Sequence, residues 1–154
     1  MLPATTERPL TRLVLDTNTV MALWFFADPA LEPLRTRLAG DTPVLATRAD
    51  ALEELRRVLA YRQFAIPAAR QAQILDAYAR RCTLVETPGM VPPALPNCRD
   101  PHDQKFLEIA RDGGASHLVS RDKALLKLNR HRLIRPLFAI VTPERLCEAL
   151  LLRP

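Results

Sequence analysis

Five short apolar runs, at residues 12–16, 43–46, 82–86, 117–119 and 137–141, alternate along the chain with stretches of helical periodicity. Runs this short suit strands rather than helices. Strands separated by helices are joined by crossovers, which make neighbouring strands parallel and lay helices over both sheet faces. The predicted fold class is therefore α/β: a three-layer α/β/α sandwich whose central sheet is mostly parallel, with about four to five strands.

In such a sheet, ligands bind just beyond the carboxyl ends of the strands. The first run, Leu13-Val14-Leu15, breaks off at Asp16, and Thr17-Asn18 open the next helix. His117-Leu118-Val119 ends in the same way, at Ser120-Arg121-Asp122. Two more acids belong to helices that return to this edge. In the third helix, the apolar stripe is Ala51, Leu52, Leu55, Val58 and Leu59. At about 100° per residue, Glu54 lies about 40° off that stripe and Glu53 about 100° off, so Glu54 is the one that leans inward. In the fifth helix, Asp103, Phe106, Leu107 and Ala110 follow i, i+3, i+4, i+7 spacing, which puts Asp103 at the head of the buried stripe. A buried carboxylate is costly unless paired or metal-bound.

Each acid also has a purely structural use. Asp16 and Asp122 suit the N-cap position, and Asp100-Pro101-His102-Asp103 has Asp at the cap, Pro at N1 and an acid at N3. Glu54 has the option of simply facing solvent. What favours the sharper reading is the convergence of Asp16, Glu54, Asp100, Asp103 and Asp122 from separate parts of the chain. Hard divalent ions such as Mg²⁺ or Mn²⁺ take oxygen ligands, and they activate water and offset charge at a phosphoryl group.

The connecting segments follow from local signals. Residues 18–27 are too apolar for a surface helix and stop at Asp28-Pro29. A second helix covers about 30–39 and ends at Gly40; a third, capped by Thr47, runs to Leu59; a fourth opens at Ile66-Pro67 and runs to about Arg81. Five prolines make 88–101 a stiff connector. The fifth helix ends before Gly113-Gly114, a short one covers about 122–128, and Thr142-Pro143-Glu144 starts the last. Residues 1–11, with two prolines and no periodicity, are expected to be a flexible tail ahead of a single domain at 12–151.

The chain has 154 residues, 48% of them hydrophobic and 25% charged, enough for an ordered core. No apolar run approaches the roughly 18 residues that span a bilayer, and the N-terminus lacks the pattern of a signal peptide. Three cysteines without CxxC spacing point to reduced thiols and a cytoplasmic location. Cys98 and His102 make only half a zinc site. The net charge is +5, and 19 of the 22 basic residues are arginine, whose planar fork suits phosphate. A basic protein carrying a cluster of acids is one that grips a phosphate backbone and cuts it; RNA or DNA is the natural partner.

On these residues the chain resembles the PIN-domain family of metal-dependent ribonucleases. The matching pieces are LVLDTN at 13–18, ALEELRRVL at 51–59, CRDPHDQKFLEIA at 98–110, HLVSRD at 117–122 and IVTPERL at 140–146. The RDPxDxxFL form is similar to the branch that supplies toxins of bacterial toxin–antitoxin pairs. The resemblance implies a PIN-like sandwich, often dimeric, with Asp16, Glu54, Asp103 and Asp122 as the catalytic acidic quartet that holds one or two Mg²⁺ or Mn²⁺ ions, and Asp100 as an additional acid. Asn18 and Ser120 match flanking polar positions that support the first and last acids. It implies an RNA substrate and a small antitoxin protein as partner. Arg121, Lys123, Lys127, Arg130, Arg132 and Arg135 would hold the RNA backbone, joined by Arg56, Arg57 and Arg62.

Two other readings compete. A phosphotransfer domain using Asp16 as nucleophile would want a second aspartate where Asn18 stands, or a lysine beyond the last strand, where the sequence is Thr142-Pro143-Glu144. A catalytically idle PIN-like module would keep the fold and bind RNA or a partner protein without cutting.

Overall fold

The structure, a computed structural model, describes residues 8–151. Five strands, β1 (Arg12–Leu15), β2 (Val44–Thr47), β3 (Cys82–Leu84), β4 (His117–Val119) and β5 (Ala139–Val141), form one sheet in the order β3-β2-β1-β4-β5. Every pairing is parallel. The central strand β1 pairs Leu13 with both Leu45 and His117, and Leu15 with Val119. Parallel strands buried on both faces read as continuous apolar runs, which is why these stretches show no polar alternation.

The pleat divides the core. Leu13, Leu15, Leu45, Val119, Ala139 and Val141 face one layer, and Val14, Ala46, Leu118 and Ile140 the other. The first layer holds α1 (Thr17–Trp24), α2 (Glu32–Leu38), α3 (Ala49–Leu59), α4 (Ala68–Arg81) and α7 (Pro143–Leu151). The second holds α5 (Gln104–Asp112) and α6 (Lys123–Lys127), with Phe106, Leu107, Ile109, Ala110 and Leu125 fully covered. The result is the three-layer α/β/α sandwich. No helix among the described residues is long and apolar enough to cross a membrane.

Two glycines set the approach to β4. A Cβ on Gly113 would stand 2.8 Å from Val85 Cγ2 and 2.9 Å from the Ile109 carbonyl, closer than packing allows. Gly114 takes φ +63°, the left-handed conformation that glycine tolerates best. Together they turn the chain from α5 into β4 and so fix where Ser120 and Asp122 emerge.

Several local expectations are corrected. Thr47 does not cap α3: it is the buried last residue of β2, and Arg48 occupies the N-cap without a side-chain hydrogen bond. The second helix begins with a 3₁₀ turn at Pro29–Leu31, and it ends where expected, with Ala39 as its C-cap and Gly40 just after it. Residues 1–7 of the expected tail lie outside the described residues, but the rest of it is held. Arg8 donates to the carbonyls of Leu137 and Arg135 at 3.2 and 3.0 Å, and the Thr11 amide donates to Ser116 Oγ. Leu10 packs on the core.

Candidate metal and nucleic-acid site

At the carboxyl edge of the sheet, Asp16 follows β1 and Ser120 follows β4. Adjacent parallel strands in register bring these two side chains together: Ser120 Oγ donates to Asp16 Oδ2 at 2.6 Å. The other oxygen, Oδ1, accepts the Thr19 amide at 2.9 Å, so Asp16 caps α1 as well as lining the crevice. Both residues are buried. Burial pushes the Asp16 carboxyl above its ordinary range, against the pull of hydrogen bonds from Ser120 and Thr19, and the Asp122 charge adds to the rise. Ser120 also accepts the Asp122 amide at 2.9 Å, which fixes the turn out of β4. One hydroxyl thereby locks two acids.

Glu54 reaches the same edge from the middle of α3. Thr17 Oγ1 donates to its Oε2, and Lys105 Nζ donates to its Oε1 at 2.7 Å. Asp100 caps the 3₁₀ turn Pro101–Asp103 by accepting the His102 amide, and Asp122 caps α6 by accepting the Leu125 amide. Asp100, Asp103 and Asp122 line one narrow crevice together with Cys98, Arg99, Ala124, Leu125 and Leu128.

Asp103 shows how closely the set converges. Its carboxylate is half-buried and, among the described residues, accepts no hydrogen bond. Its pKa is pushed up to about 6, first by burial and then by the charges of Asp100, Asp122, Asp16 and Glu54. Four carboxylates from β1, α3, the turn before α5 and the exit of β4 therefore act on a fifth. The bland uses as helix caps are real too; Asp16, Asp100 and Asp122 do both.

Whether these residues suit a divalent ion divides into chemistry and placement. Among the described residues no three His, Cys, Asp or Glu side chains stand as a ready-made cage. The reason is visible in the hydrogen bonds: both oxygens of Asp16 and of Glu54 are turned toward protein donors. The donor chemistry fits a hard cation. All the ligands are carboxylate oxygens with spare lone pairs, negative charge is in excess, and Asp103 has no donor of its own. Cys98 is a poor candidate: burial, with the nearby acids, pushes its thiol to about 11, so it stays protonated.

The supporting positions differ from one another. Ser120 is built into the site, whereas Asn18 is exposed on α1 and makes no side-chain hydrogen bond among the described residues. Thr17, one residue earlier, makes the contact with Glu54. Neither Thr17 nor Lys105 was singled out by sequence. Lys105 stands in the first turn of α5, one turn before Ile109, and helical phase does not place it beside Asp103.

The basic residues divide as well. Lys123, Lys127 and Arg130 line one open hollow with Leu126 and Asn129, next to Asp122. Arg132 and Arg135 are exposed on the loop that follows. Arg121 is ion-paired at the surface: its guanidinium meets Glu144 at 2.6 Å and Asp28 at 2.8 Å. Arg56 and Arg57 both pair with Glu53 on their own helix. Arg62 is exposed in the 3₁₀ turn after α3, beside an aromatic group at the far end of α1 from Asp16. There Phe25, Phe26 and Phe64 meet at ring centroids 4.8 to 5.9 Å apart, and Tyr61 stacks on Phe64.

A family model described as "PIN domain" matches residues 12–124, most of the chain. No curated protein and no solved structure matches it. The match takes in the first four strands, β1 to β4, and all of Asp16, Glu54, Asp100, Asp103 and Asp122.

Proposed function

The chain belongs to the PIN-domain family, whose members are generally nucleases using divalent metal ions, and on that premise we propose that it is a Mg²⁺- or Mn²⁺-dependent endoribonuclease. The observation that carries this reading is the convergence of the acids at the carboxyl edge of the sheet: Asp100, Asp103 and Asp122 line one crevice, and Ser120 ties Asp16 to the Asp122 turn. So much like charge around one half-buried carboxylate calls for a cation. The ion would be held by Asp16, Asp103 and Asp122, with Asp100 and Glu54 alongside. When bound it supplies water activation and neutralises charge on the phosphodiester.

The chain's own residues do the rest. Ser120 holds Asp16 in one orientation and supports the Asp122 turn, so two acids keep a fixed spacing. Lys123, Lys127 and Arg130 present positive charge beside the crevice, with Arg132 and Arg135 farther along the same loop. Such contacts position a strand without reading its bases. A role as the toxin of a toxin–antitoxin pair rests on the segment CRDPHDQKFLEIA; a small partner protein would then cover the acidic crevice, and the chain would work as a homodimer in the cytoplasm. Expressing the chain alone should arrest growth, and growth unaffected by its expression would count against the toxin role.

The experiment for the nuclease reading is incubation of a mixed single-stranded RNA pool with the purified chain in Mg²⁺, Mn²⁺ or EDTA. Cutting that needs the metal is the expected result. The idle-module reading draws on one observation, that the oxygens of Asp16 and Glu54 are already engaged by protein donors. RNA retained by the protein but uncut under either metal would select it.

A further inference from the structure

One cation is ion-paired directly to the acid cluster. Lys105 leaves the first turn of α5, and its ammonium donates to Glu54 Oε1 at 2.7 Å and to the His102 carbonyl. Its Nζ lies 5.2 Å from the centroid of the Phe106 ring. Among the described residues no other lysine or arginine stands within ion-pair distance of Asp16, Glu54, Asp100, Asp103 or Asp122. Ordering a lysine costs rotamer entropy, so a side chain held by three contacts and only 16% exposed is a specified feature of the site.

The arrangement changes the role of Glu54. With Thr17 on one oxygen and Lys105 on the other, its charge is already answered by an ammonium. Two-ion nucleases place a second cation about 3.5–4 Å from the first, where it offsets charge on the phosphoryl group. An ammonium steered to the edge of the acid cluster supplies charge of the same sign with donors that suit phosphate.

We propose that Lys105 takes the place of a second metal ion. The site then holds one divalent cation among Asp16, Asp103 and Asp122. The Lys105 ammonium, positioned by Glu54, contacts a non-bridging oxygen of the scissile phosphate. Glu54 is a positioning residue here and not a metal ligand. This inference rests on the nuclease reading above.

The test pairs an ion count with kinetics. In calorimetry with Mn²⁺ alone, the full chain is expected to bind one ion, and Glu54→Gln is expected to keep it. In RNA cleavage, Lys105→Met should lower kcat by about 10²-fold, the usual cost of losing one preorganised charge-stabilising donor. KM should change little, and Lys105→Arg should recover much of the rate. Two ions bound by the wild type, loss of the ion in Glu54→Gln, or wild-type cutting by Lys105→Met would each overturn the proposal. Two ions with RNA still cut would overturn this inference and leave the nuclease reading standing. One ion with RNA uncut would remove the nuclease reading, and the phosphate contact with it.

Discussion

Asp16, Glu54, Asp103 and Asp122 reach one crevice through backbone placement, whereas the basic residues beside them go where their ion-pair partners take them. Asp16 and Asp122 follow β1 and β4, which are neighbours in the sheet, so topology alone brings them within reach of Ser120. Arg121 stands between Ser120 and Asp122 in sequence, yet it turns away to Asp28 and Glu144. Arg56 and Arg57 are claimed by Glu53 within their own helix. Short carboxylates stay where the main chain puts them; long guanidinium side chains choose among partners several ångströms apart. Acid clusters are therefore the more readable of the two in a sequence.

That contrast breaks first, and by the largest effect, at Asp103. Asp103→Asn should reduce metal-dependent cleavage by three orders of magnitude or more, on the order of what losing a central catalytic group costs. The same variant has a second readout in the metal-free protein. The Asp103 pKa of about 6 lies above the ordinary carboxylate value, so folding favours the protonated form. Its contribution to stability is full below the unfolded pKa and is lost as pH rises through about 6. Asp16, whose carboxyl is also raised, acts in the same direction. Asp28, Asp50 and Glu53, whose carboxyls are held low by arginines, act the other way, so the reading is the difference: between pH 4 and 7 the metal-free wild type should lose Tm relative to Asp103→Asn. A difference between the two that does not change with pH would contradict the crowding of acids.

Adding Mn²⁺ at pH 7 should reverse the loss. A ligand that binds only the folded state stabilises it by about 2.7 kcal/mol at a hundred times its Kd, and EDTA should restore the lower Tm. A Tm indifferent to the ion would mean that the acids repel one another for some other purpose.

On the basic side, the comparison sharpens with two variants. Replacing Lys123, Lys127 and Arg130 together by alanine should weaken RNA binding about tenfold at moderate salt and flatten its salt dependence, since fewer counterions are released. Arg121→Ala should change RNA affinity by less than about twofold, because its charge is spent on carboxylates, and exposed pairs of this kind contribute little to stability. Equal losses of RNA affinity in both variants would erase the distinction between free and claimed cations.

Much of the architecture was legible because each strand is a short, doubly buried run and each crossover a helix of ordinary length. The five-strand order followed less directly: nothing local specifies that β4 sits beside β1, and the Gly113-Gly114 turn that delivers it matters through its contact with Val85 and Ile109. At the site, the carboxylates declared themselves by strand exits and helical phase. Lys105 and Thr17 did not, since a lysine on an amphipathic helix and a threonine at an N-terminus have commonplace roles. Only the fold shows both meeting Glu54. The aromatic group was equally hidden, because Phe25 and Phe26 are far in sequence from Tyr61 and Phe64 and come together only when the ends of α1 and α3 are packed side by side.

The most direct test of the central claim is cleavage of single-stranded RNA by Asp16→Asn against the wild type, with Mn²⁺ and with EDTA. Asparagine keeps the size of the side chain and an oxygen to cap the Thr19 amide, so the fold should survive while the negative charge at the centre of the cluster is lost. The wild type should cut only with metal, and a folded Asp16→Asn should not cut at all. Cutting by the variant at the wild-type rate would contradict it.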